Sequence, residues 1–231
     1  MLKIKWIGQS GYILSGGNTT ICIDPYLSDV VNRIAKRPRM IKAPFLPEEL
    51  KSDIVICTHN HLDHVDTDAI LRMKKENVLF LAPQDAEKTL FACGVIHYSP
   101  FDEGTTVKIG DFEIEAVFAD HTVPAIGVII KYGGVTLYFS GDTEYNEKLA
   151  VLKEYSVDIM CICINGKLGN MNVDEAVKLT KIIQPKVGIP THYGMFASNT
   201  ENPEKYTEKL ACGFIMEYNK TYSVEEMIAS V

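Results

Sequence analysis

"CTHNHLDHVD", residues 57–66, holds three of the chain's six histidines and two of its aspartates. The apolar, β-branched residues before and at its start predict a buried strand over 53–59. A helix is predicted to begin just after it, with Asp66 or Thr67 at the N-terminal cap. Such a segment can be a metal site, a pH-responsive patch or an ordinary polar loop. The spacing of its side chains and the rest of the sequence decide among the three.

Metal binding accounts best for that spacing. His59 and His61 lie two residues apart at the end of a strand, so both imidazoles project to the same side of an extended backbone. Asp63 and His64 follow where the chain must turn before the helix, which directs them toward a neighbouring point. Protonated histidines at this density would repel one another, whereas a metal ion removes that repulsion. We therefore interpret the segment as four ligands divided between two metal ions.

Further ligands are available at the ends of other apolar strands. His121 ends "FEIEAVFADH", Asp142 ends "VTLYFSGD" and His192 ends "KVGIPTH". Ligand and catalytic groups of open α/β sheets usually lie just past such strands. Alone, each histidine would more often be structural and the aspartate a turn residue, but beside the first cluster all three are candidate ligands. The sixth histidine, His97, fits a surface or loop position.

Composition and charge restrict the class of protein. The 231 residues are 46% hydrophobic and 23% charged, as in an ordinary globular protein, and we expect one domain over residues 1–231. The formal net charge of −7 repels phosphate backbones, so we expect no nucleic-acid partner. The chain shows neither a signal peptide nor an apolar run near the ~20 residues that span a bilayer. We therefore expect a cytoplasmic protein that contacts no membrane.

The six cysteines lie scattered in apolar runs, and none forms a CxxC pair. A chain of this size does not need disulfide bonds for stability, so buried reduced thiols are expected. Cys161 and Cys163 would lie on one face of a strand. As thiolates they could bind a metal ion, but their apolar surroundings favour packing in the core.

Strand and helix patterns alternate along the chain and predict a layered α/β protein with mixed sheets and outer helices. Two halves that divide near residue 125 are compatible with this pattern. Helices are predicted over 66–77, 85–94, 172–185 and 202–213, with Asn172 and Asn202 as N-terminal caps. Strands are predicted over 2–8, 11–16, 19–25, 53–59, 78–83, 105–110, 111–119, 126–133, 135–141, 157–165 and 186–192.

These motifs make the chain resemble the metallo-β-lactamase-fold hydrolases. That family's signature is His-x-His-x-Asp-His, as at residues 59–64, followed by a later histidine, a bridging aspartate and a final histidine. "ICIDPYL" (21–27) is similar to the family's early strand-Asp motif, and "GDT" (141–143) to the segment with the bridging aspartate. The resemblance covers nearly the whole chain. It implies an α/β fold of the αββα type, a sandwich of two mixed β-sheets flanked by helices, with the metals at one edge.

Within that superfamily the chain resembles the ascorbate-6-phosphate lactonase-like branch, through "INGKLGNMNVDEAVKL" (164–179) and "IPTHYGMFASNTENP" (189–203). The resemblance implies a dinuclear hydrolase that opens a phosphorylated sugar-acid lactone such as ascorbate 6-phosphate. The branch also includes phosphodiesterases, so hydrolysis of a nucleotide or phospholipid head group is the alternative. The ligand set has an aspartate where common zinc β-lactamases use a cysteine, which argues against β-lactamase activity. A third possibility is a protein without enzymatic activity that keeps metal only for structure, and the complete ligand set argues against it.

The resemblance also implies a role for each residue of the site. Asp63 would orient the attacking hydroxide and carry a proton to the leaving group, and Asp24 would lie behind the ligands. Histidine and aspartate ligands without a thiolate suit two ions of manganese, zinc or iron. The implied ligands are His59, His61 and His121 for one ion, Asp63, His64 and His192 for the other, and Asp142 between them.

Substrate contacts are predicted in the loops beside the site. Arg37 and Arg39, together with Arg33, could bind a phosphate, but they are equally compatible with a solvated basic surface. Asn165 and Asn170 could hydrogen-bond to a polyol. Tyr193 could donate a hydrogen bond to an oxyanion or could pack in the core. We expect a small, anionic substrate and a homo-oligomeric protein. The candidate contacts are Arg37, Arg39, Asn165, Asn170 and Tyr193.

Overall fold

Two mixed β-sheets pack face to face and enclose the main hydrophobic core. The structure, a computed structural model, describes residues 1–230, and Val231, the last residue of the predicted domain, lies outside the described residues. The strands are β1 (Lys3–Gly8), β2 (Gly11–Gly16), β3 (Thr19–Ile23), β4 (Ile54–Ile56), β5 (Leu79–Ala82), β6 (Tyr98–Pro100), β7 (Thr106–Ile109), β8 (Phe112–Phe118), β9 (Ile126–Tyr132), β10 (Val135–Phe139), β11 (Ile159–Cys163), β12 (Val187–Thr191) and β13 (Thr221–Ser223).

Each sheet has a parallel part and an antiparallel part. The first sheet has the order β13-β1-β2-β3-β4-β5-β6, with parallel pairing from β3 to β6. The second has the order β12-β11-β10-β9-β8-β7, with parallel pairing from β10 to β12. The chain passes from one sheet to the other between Pro100 and Thr106. The division expected near residue 125 is therefore wrong, because β7 and β8 already belong to the second sheet.

Helices cover the outer faces of the sheets. The helix α2 packs on α3 over the first sheet, and α4 and α5 contact β11 and β12 of the second. This arrangement confirms the αββα sandwich that the sequence predicts. None of the helices between residues 1 and 230 has the length and apolar character needed to cross a lipid bilayer. The α-helices are α1 (Val30–Ala35), α2 (Thr67–Arg72), α3 (Glu87–Ala92), α4 (Val173–Ile183), α5 (Glu204–Thr207) and α6 (Val224–Ala229); short 3-10 helices cover Pro47–Glu49, Gln84–Ala86 and Glu147–Tyr155.

The central strands are buried on both faces, because successive side chains point to opposite sides. In β4, Ile54 and Ile56 belong to the core between the sheets, whereas Val55 packs in the cluster that includes α2 and α3. Cys161 and Cys163 in β11 are fully buried, and burial raises the pKa of each thiol to about 12. Both side chains belong to the hydrophobic core between the sheets, as core packing predicts.

Two predicted helices show how local signals succeed and fail. For α4, the Asn172 side chain accepts from the Glu175 amide and the Glu175 carboxylate accepts from the Asn172 amide, as the capping pattern predicts. The helix predicted over 202–213 is wrong beyond Thr207. There Gly213 forms a β-bridge with Gly188 at the edge of β12, so tertiary pairing overrides helix propensity.

Besides the 3-10 helices over Pro47–Glu49 and Glu147–Tyr155, two short strands and two short α-helices escaped the sequence patterns. They are β6, β13, α1 and α6, each of six residues or fewer. The segment that contains α1 has a high density of basic residues, so its pattern is that of a surface loop. In the structure Arg33 of α1 forms an ion pair with Asp68 of α2 at 2.6 Å. This contact ties α1 to the helix that follows the histidine-rich segment.

Candidate metal centre

The candidate ligands meet at one edge of the sandwich, past the carboxyl ends of strands from both sheets. The histidine-rich segment follows β4 in the first sheet, whereas His121, Asp142 and His192 follow β8, β10 and β12 in the second. The two sheets are joined at this edge, since the Ile126 amide donates to the Thr58 carbonyl at 3.0 Å. The fold therefore brings side chains that are far apart in sequence to one place.

One group of nitrogen atoms comes from three histidines. His59 Nε2 lies 3.0 Å from His61 Nδ1, and His121 Nε2 lies 3.2 Å from the same atom. These atoms are close enough together to bind one ion. His59 is fully buried and His61 is half-buried, so the group lies at the base of an opening rather than inside the core.

A second group consists of Asp63, His64 and His192. The Asp63 Oδ2 atom lies 3.8 Å from His64 Nε2 and 3.6 Å from His192 Nε2. Asp142 stands between the groups. Its oxygens lie 3.3 Å from His64 Nε2, 3.1 Å from His192 Nε2 and 4.0 Å from His121 Nε2. Asp142 is thus the one carboxylate placed to touch both groups.

Buried atoms without hydrogen-bond partners show that the site fits a cation. His64 Nε2 and Asp142 Oδ1 are both shielded from solvent, and although they lie 3.3 Å apart, neither has a partner in hydrogen-bond geometry. Buried polar atoms in folded proteins are nearly always paired, so an unpaired nitrogen and an unpaired carboxylate oxygen at one point need an explanation. A divalent ion satisfies both. Imidazole and carboxylate donors suit zinc, manganese and iron.

Hydrogen bonds behind the ligands fix which imidazole nitrogen faces the site. His64 Nδ1 donates to Asp24 Oδ2 at 2.7 Å, and the other Asp24 oxygen accepts from the Thr58 amide at 2.8 Å. His121 Nδ1 donates to the Gly169 carbonyl at 2.8 Å. In the neutral imidazole, each donation leaves the lone pair of Nε2 pointing into the site, as metal-binding histidines require. Asp24, predicted to lie behind the ligands, is placed there.

Electrostatics divides the histidines into two classes. Burial lowers the pKa of His59 well below its usual value and also lowers that of His61, so both are neutral at pH 7. Burial also lowers the pKa of His64 and of His192, but the neighbouring carboxylates, with Asp142 the largest contributor, together outweigh it. The pKa of His64 is raised well above its usual value, and that of His192 to about 9. Metal binding at the second group must therefore displace protons.

Gln9 belongs to the site although the sequence patterns did not single it out. Its side chain is fully buried, and Nε2 donates to Asp63 Oδ2 at 2.8 Å. The main-chain carbonyl of Gln9 accepts from the His192 amide at 3.2 Å and from the Thr191 hydroxyl at 2.6 Å. Gln9 and His192 both have left-handed backbones, with φ of +52° and +61°. Non-glycine residues adopt that conformation seldom, and they concentrate at functional sites. The only signal in the sequence was a glutamine inside a glycine-bounded turn, "GQSG".

A pocket of about 360 Å³ opens onto the donor atoms, and Arg37 lines it. Arg39, the other predicted anion contact, is placed elsewhere. Its guanidinium donates to the carbonyls of Tyr26, Ser28 and Ile41, and it lies 4.5 Å above the Tyr26 ring. Arg39 therefore braces its own loop and does not line this pocket, and its contact with substrate stays a prediction.

The predicted asparagines lie behind the pocket rather than in it. Asn170 donates to Asn165 at 3.0 Å, and Asn165 donates to Asn199 at 2.7 Å. Of these three asparagines, Asn199 is the one that lines the pocket. Tyr193 packs in the core, with its ring 4.9 Å from that of Trp6. It follows the candidate ligand His192 but does not line the pocket. Asn165 and Asn170 hold Asn199, and Tyr193 supports the fold.

Comparison with known proteins agrees with this geometry. The profile of a family described as "Beta-lactamase superfamily domain" matches residues 3–192. A UPF0173 metal-dependent hydrolase of Archaeoglobus fulgidus is 29% identical over 220 residues, which cover 89% of each chain. Another, from Oenococcus oeni, is 29% identical over 239 residues, which cover 96% of this chain and 99% of the relative. The solved structure of a metallo hydrolase from Ignicoccus hospitalis superimposes with a TM-score of 0.79 at 24% identity, over 96% of this chain and 97% of the other. The chain therefore belongs to the beta-lactamase superfamily, and it is a metal-dependent hydrolase with the metallo-β-lactamase fold.

Proposed function

We propose that the chain is a dinuclear lactonase or esterase whose substrate is a small anionic molecule. The observation that carries the proposal is the position of Asp142 between two groups of three donors, with unpaired buried atoms facing the space between them. One ion would be held by His59, His61 and His121 and the other by Asp63, His64 and His192. We infer manganese or zinc, with iron also suited to these donors.

The residues of the chain divide the chemical work. A bound pair of divalent ions lowers the pKa of water toward neutrality and so supplies the nucleophile, and it stabilises negative charge on the carbonyl oxygen. Asp63 is the proton carrier, because its carboxylate borders the pocket and its side chain is 19% exposed. The Gln9 amide fixes the orientation of that carboxylate through its hydrogen bond at 2.8 Å. Asp24 keeps His64 in the tautomer that offers Nε2 to the site.

A phosphorylated sugar-acid lactone such as ascorbate 6-phosphate is the substrate that the sequence resemblance favours. Arg37 supports it, because an exposed guanidinium on the pocket rim binds phosphate through paired hydrogen bonds. Arg37 also favours the alternative, a phosphodiesterase with the same metal chemistry. Arg39, Asn165 and Asn170 do not line the pocket and so give no direct support to either function.

Metal analysis joined to a substrate panel tests the proposal. Purified protein should bind two equivalents of divalent ion, and His61→Ala should lose at least one together with all hydrolysis. His97→Ala is the matched control, since His97 is an exposed histidine outside the site. The panel sets lactones and carboxylic esters against bis-p-nitrophenyl phosphate. Turnover of the diester without any lactone or ester would reverse the order of the two functions, and a chain that takes up no ion would refute both.

A further inference from the structure

One wall of the pocket is a packed apolar cluster. Val31, Leu62 and Phe196 line the pocket. Together with Tyr26 they belong to an apolar cluster that is separate from the core between the sheets. The Phe196 ring is 3% exposed and lies 5.7 Å from that of Tyr26. The wall is therefore already formed, and an apolar group that contacts it displaces only water.

The pocket lining also includes a leucine in an unusual setting. Leu168 lines the pocket, is 56% exposed and has φ of +58°. Its neighbours Gly166 and Gly169 also have positive φ, where glycine is free of strain. Leucine at such a position combines a disfavoured backbone with a largely exposed apolar side chain. Backbone conformations of this kind cluster at ligand-binding and active sites, although helix ends also contain them.

The metal centre fixes the position of this leucine. The carbonyl of Gly169 accepts the hydrogen bond from His121 Nδ1 at 2.8 Å. The loop that carries Leu168 is thus held at a constant distance from the candidate ligand His121. Among residues 1–230, only Arg37, Thr122 and Asn199 add polar side chains to the walls beyond the candidate ligands. A sugar acid brings several hydroxyl groups that lose hydrogen bonds to water, and three side chains are too few to replace them.

We infer that the pocket binds the alkyl or aryl substituent of a lactone or ester between Leu168 and Phe196, while the reacting carbonyl faces the metal centre. This inference rests on the proposed function and narrows it, since it names an amphiphilic substrate in place of a polyol. Arg37 on the rim then binds an anionic group of the same molecule.

Chain-length series on the metal-loaded protein test the inference. γ-Lactones with alkyl side chains of increasing length should show kcat/KM rising about fourfold for each added methylene until the pocket is filled. Straight-chain carboxylates, measured by calorimetry, should bind with the same dependence, and this second series needs no turnover. The lactone of 6-phosphogluconic acid serves as the polar comparison and should be the poorer substrate. A flat dependence on length in the calorimetric series, or a preference for the polar lactone, would overturn the inference.

A pair of variants separates Leu168 from a general apolar effect. Leu168→Ala should weaken the longest ligand roughly five- to tenfold and leave the shortest unchanged, because about half of the leucine surface remains to be covered. Leu71→Ala is the matched control: Leu71 is 57% exposed on α2 and does not line the pocket. Equal effects of the two variants would refute the role of Leu168. If carboxylates show the length dependence while no lactone or ester is hydrolysed, the apolar site stands and the lactonase proposal fails.

Discussion

Replacing Asp24 by asparagine should weaken metal binding without disturbing the backbone. Asp24 is fully buried and has φ of +43°, a conformation that asparagine tolerates and alanine does not. One of its oxygens accepts from the Thr58 amide and the other from the Thr58 hydroxyl and from His64 Nδ1. In Asp24→Asn, the amide oxygen must stay opposite the Thr58 amide, so the NH₂ group faces His64.

The consequence for His64 is a change of tautomer. An NH₂ group opposite Nδ1 requires a lone pair there, which moves the proton to Nε2, the atom that faces the site. Outer partners of metal-binding histidines contribute about 10–100-fold to metal affinity, which corresponds to about 1.4–2.7 kcal/mol. We expect a loss of that size at the second group. The first group, which contains no hydrogen bond to Asp24, should keep its affinity.

Calorimetric metal titration measures both affinities. The control is Asp158→Asn, because Asp158 is also buried and accepts from the Thr136 amide at 2.8 Å, but at the far end of β11. Unchanged binding in Asp24→Asn would refute the argument from the tautomer. An equal loss in Asp158→Asn would attribute the effect to general destabilisation.

Three further perturbations test other parts of the site. Gly169→Ala should lose metal from the first group, because a Cβ atom there would lie 2.8 Å from His121 Nδ1; Gly134→Ala, with a similar φ of +84° and open space around it, should keep its metal content. In the metal-free chain, the carboxylates near His192 raise its pKa to about 9, and the resulting ion pairs stabilise the fold. That contribution is complete below about pH 6.5 and should disappear as the pH rises through about 9. Thermal denaturation at a series of pH values measures the loss. Metal affinity of the second group should change the opposite way, rising about tenfold per pH unit for each displaced proton up to about pH 9. Arg37→Ala should raise KM about tenfold for anionic esters and leave neutral esters unchanged, and equal effects on both would remove its role in anion binding.

Much of the fold was readable because its signals are local. All eleven strands predicted from apolar and β-branched runs are present, with ends that differ by a few residues. The histidine-rich segment and the residues past β8, β10 and β12 could be named because ligand chemistry limits them to histidine and aspartate. The fold class is confirmed, whereas a homo-oligomer and a cytoplasmic location stay predictions.

The features that sequence reasoning missed depend on distant contacts. Gln9 reaches the site because the turn after β1 lies at the same sheet edge as Asp63, 54 positions along the chain. Arg39 and Tyr193 have residue types that suit substrate binding, but their neighbours in space had already used their polar or aromatic surfaces. No pattern along the chain distinguishes a free arginine from one held by three carbonyls.

The candidate donors come from both sheets, which would give a bound metal ion a mechanical role. Four donors follow β4 on one side of the sandwich and three follow strands on the other, so an ion held by both sides is a cross-link between them. At an ion concentration 100 times Kd, each bound ion adds about 2.7 kcal/mol to the free energy of unfolding. Proteolysis in a cell acts mainly on opened molecules, so a shortage of metal would shorten the lifetime of the protein as well as stop its catalysis. The abundance of the chain would then follow the metal supply with no dedicated regulator.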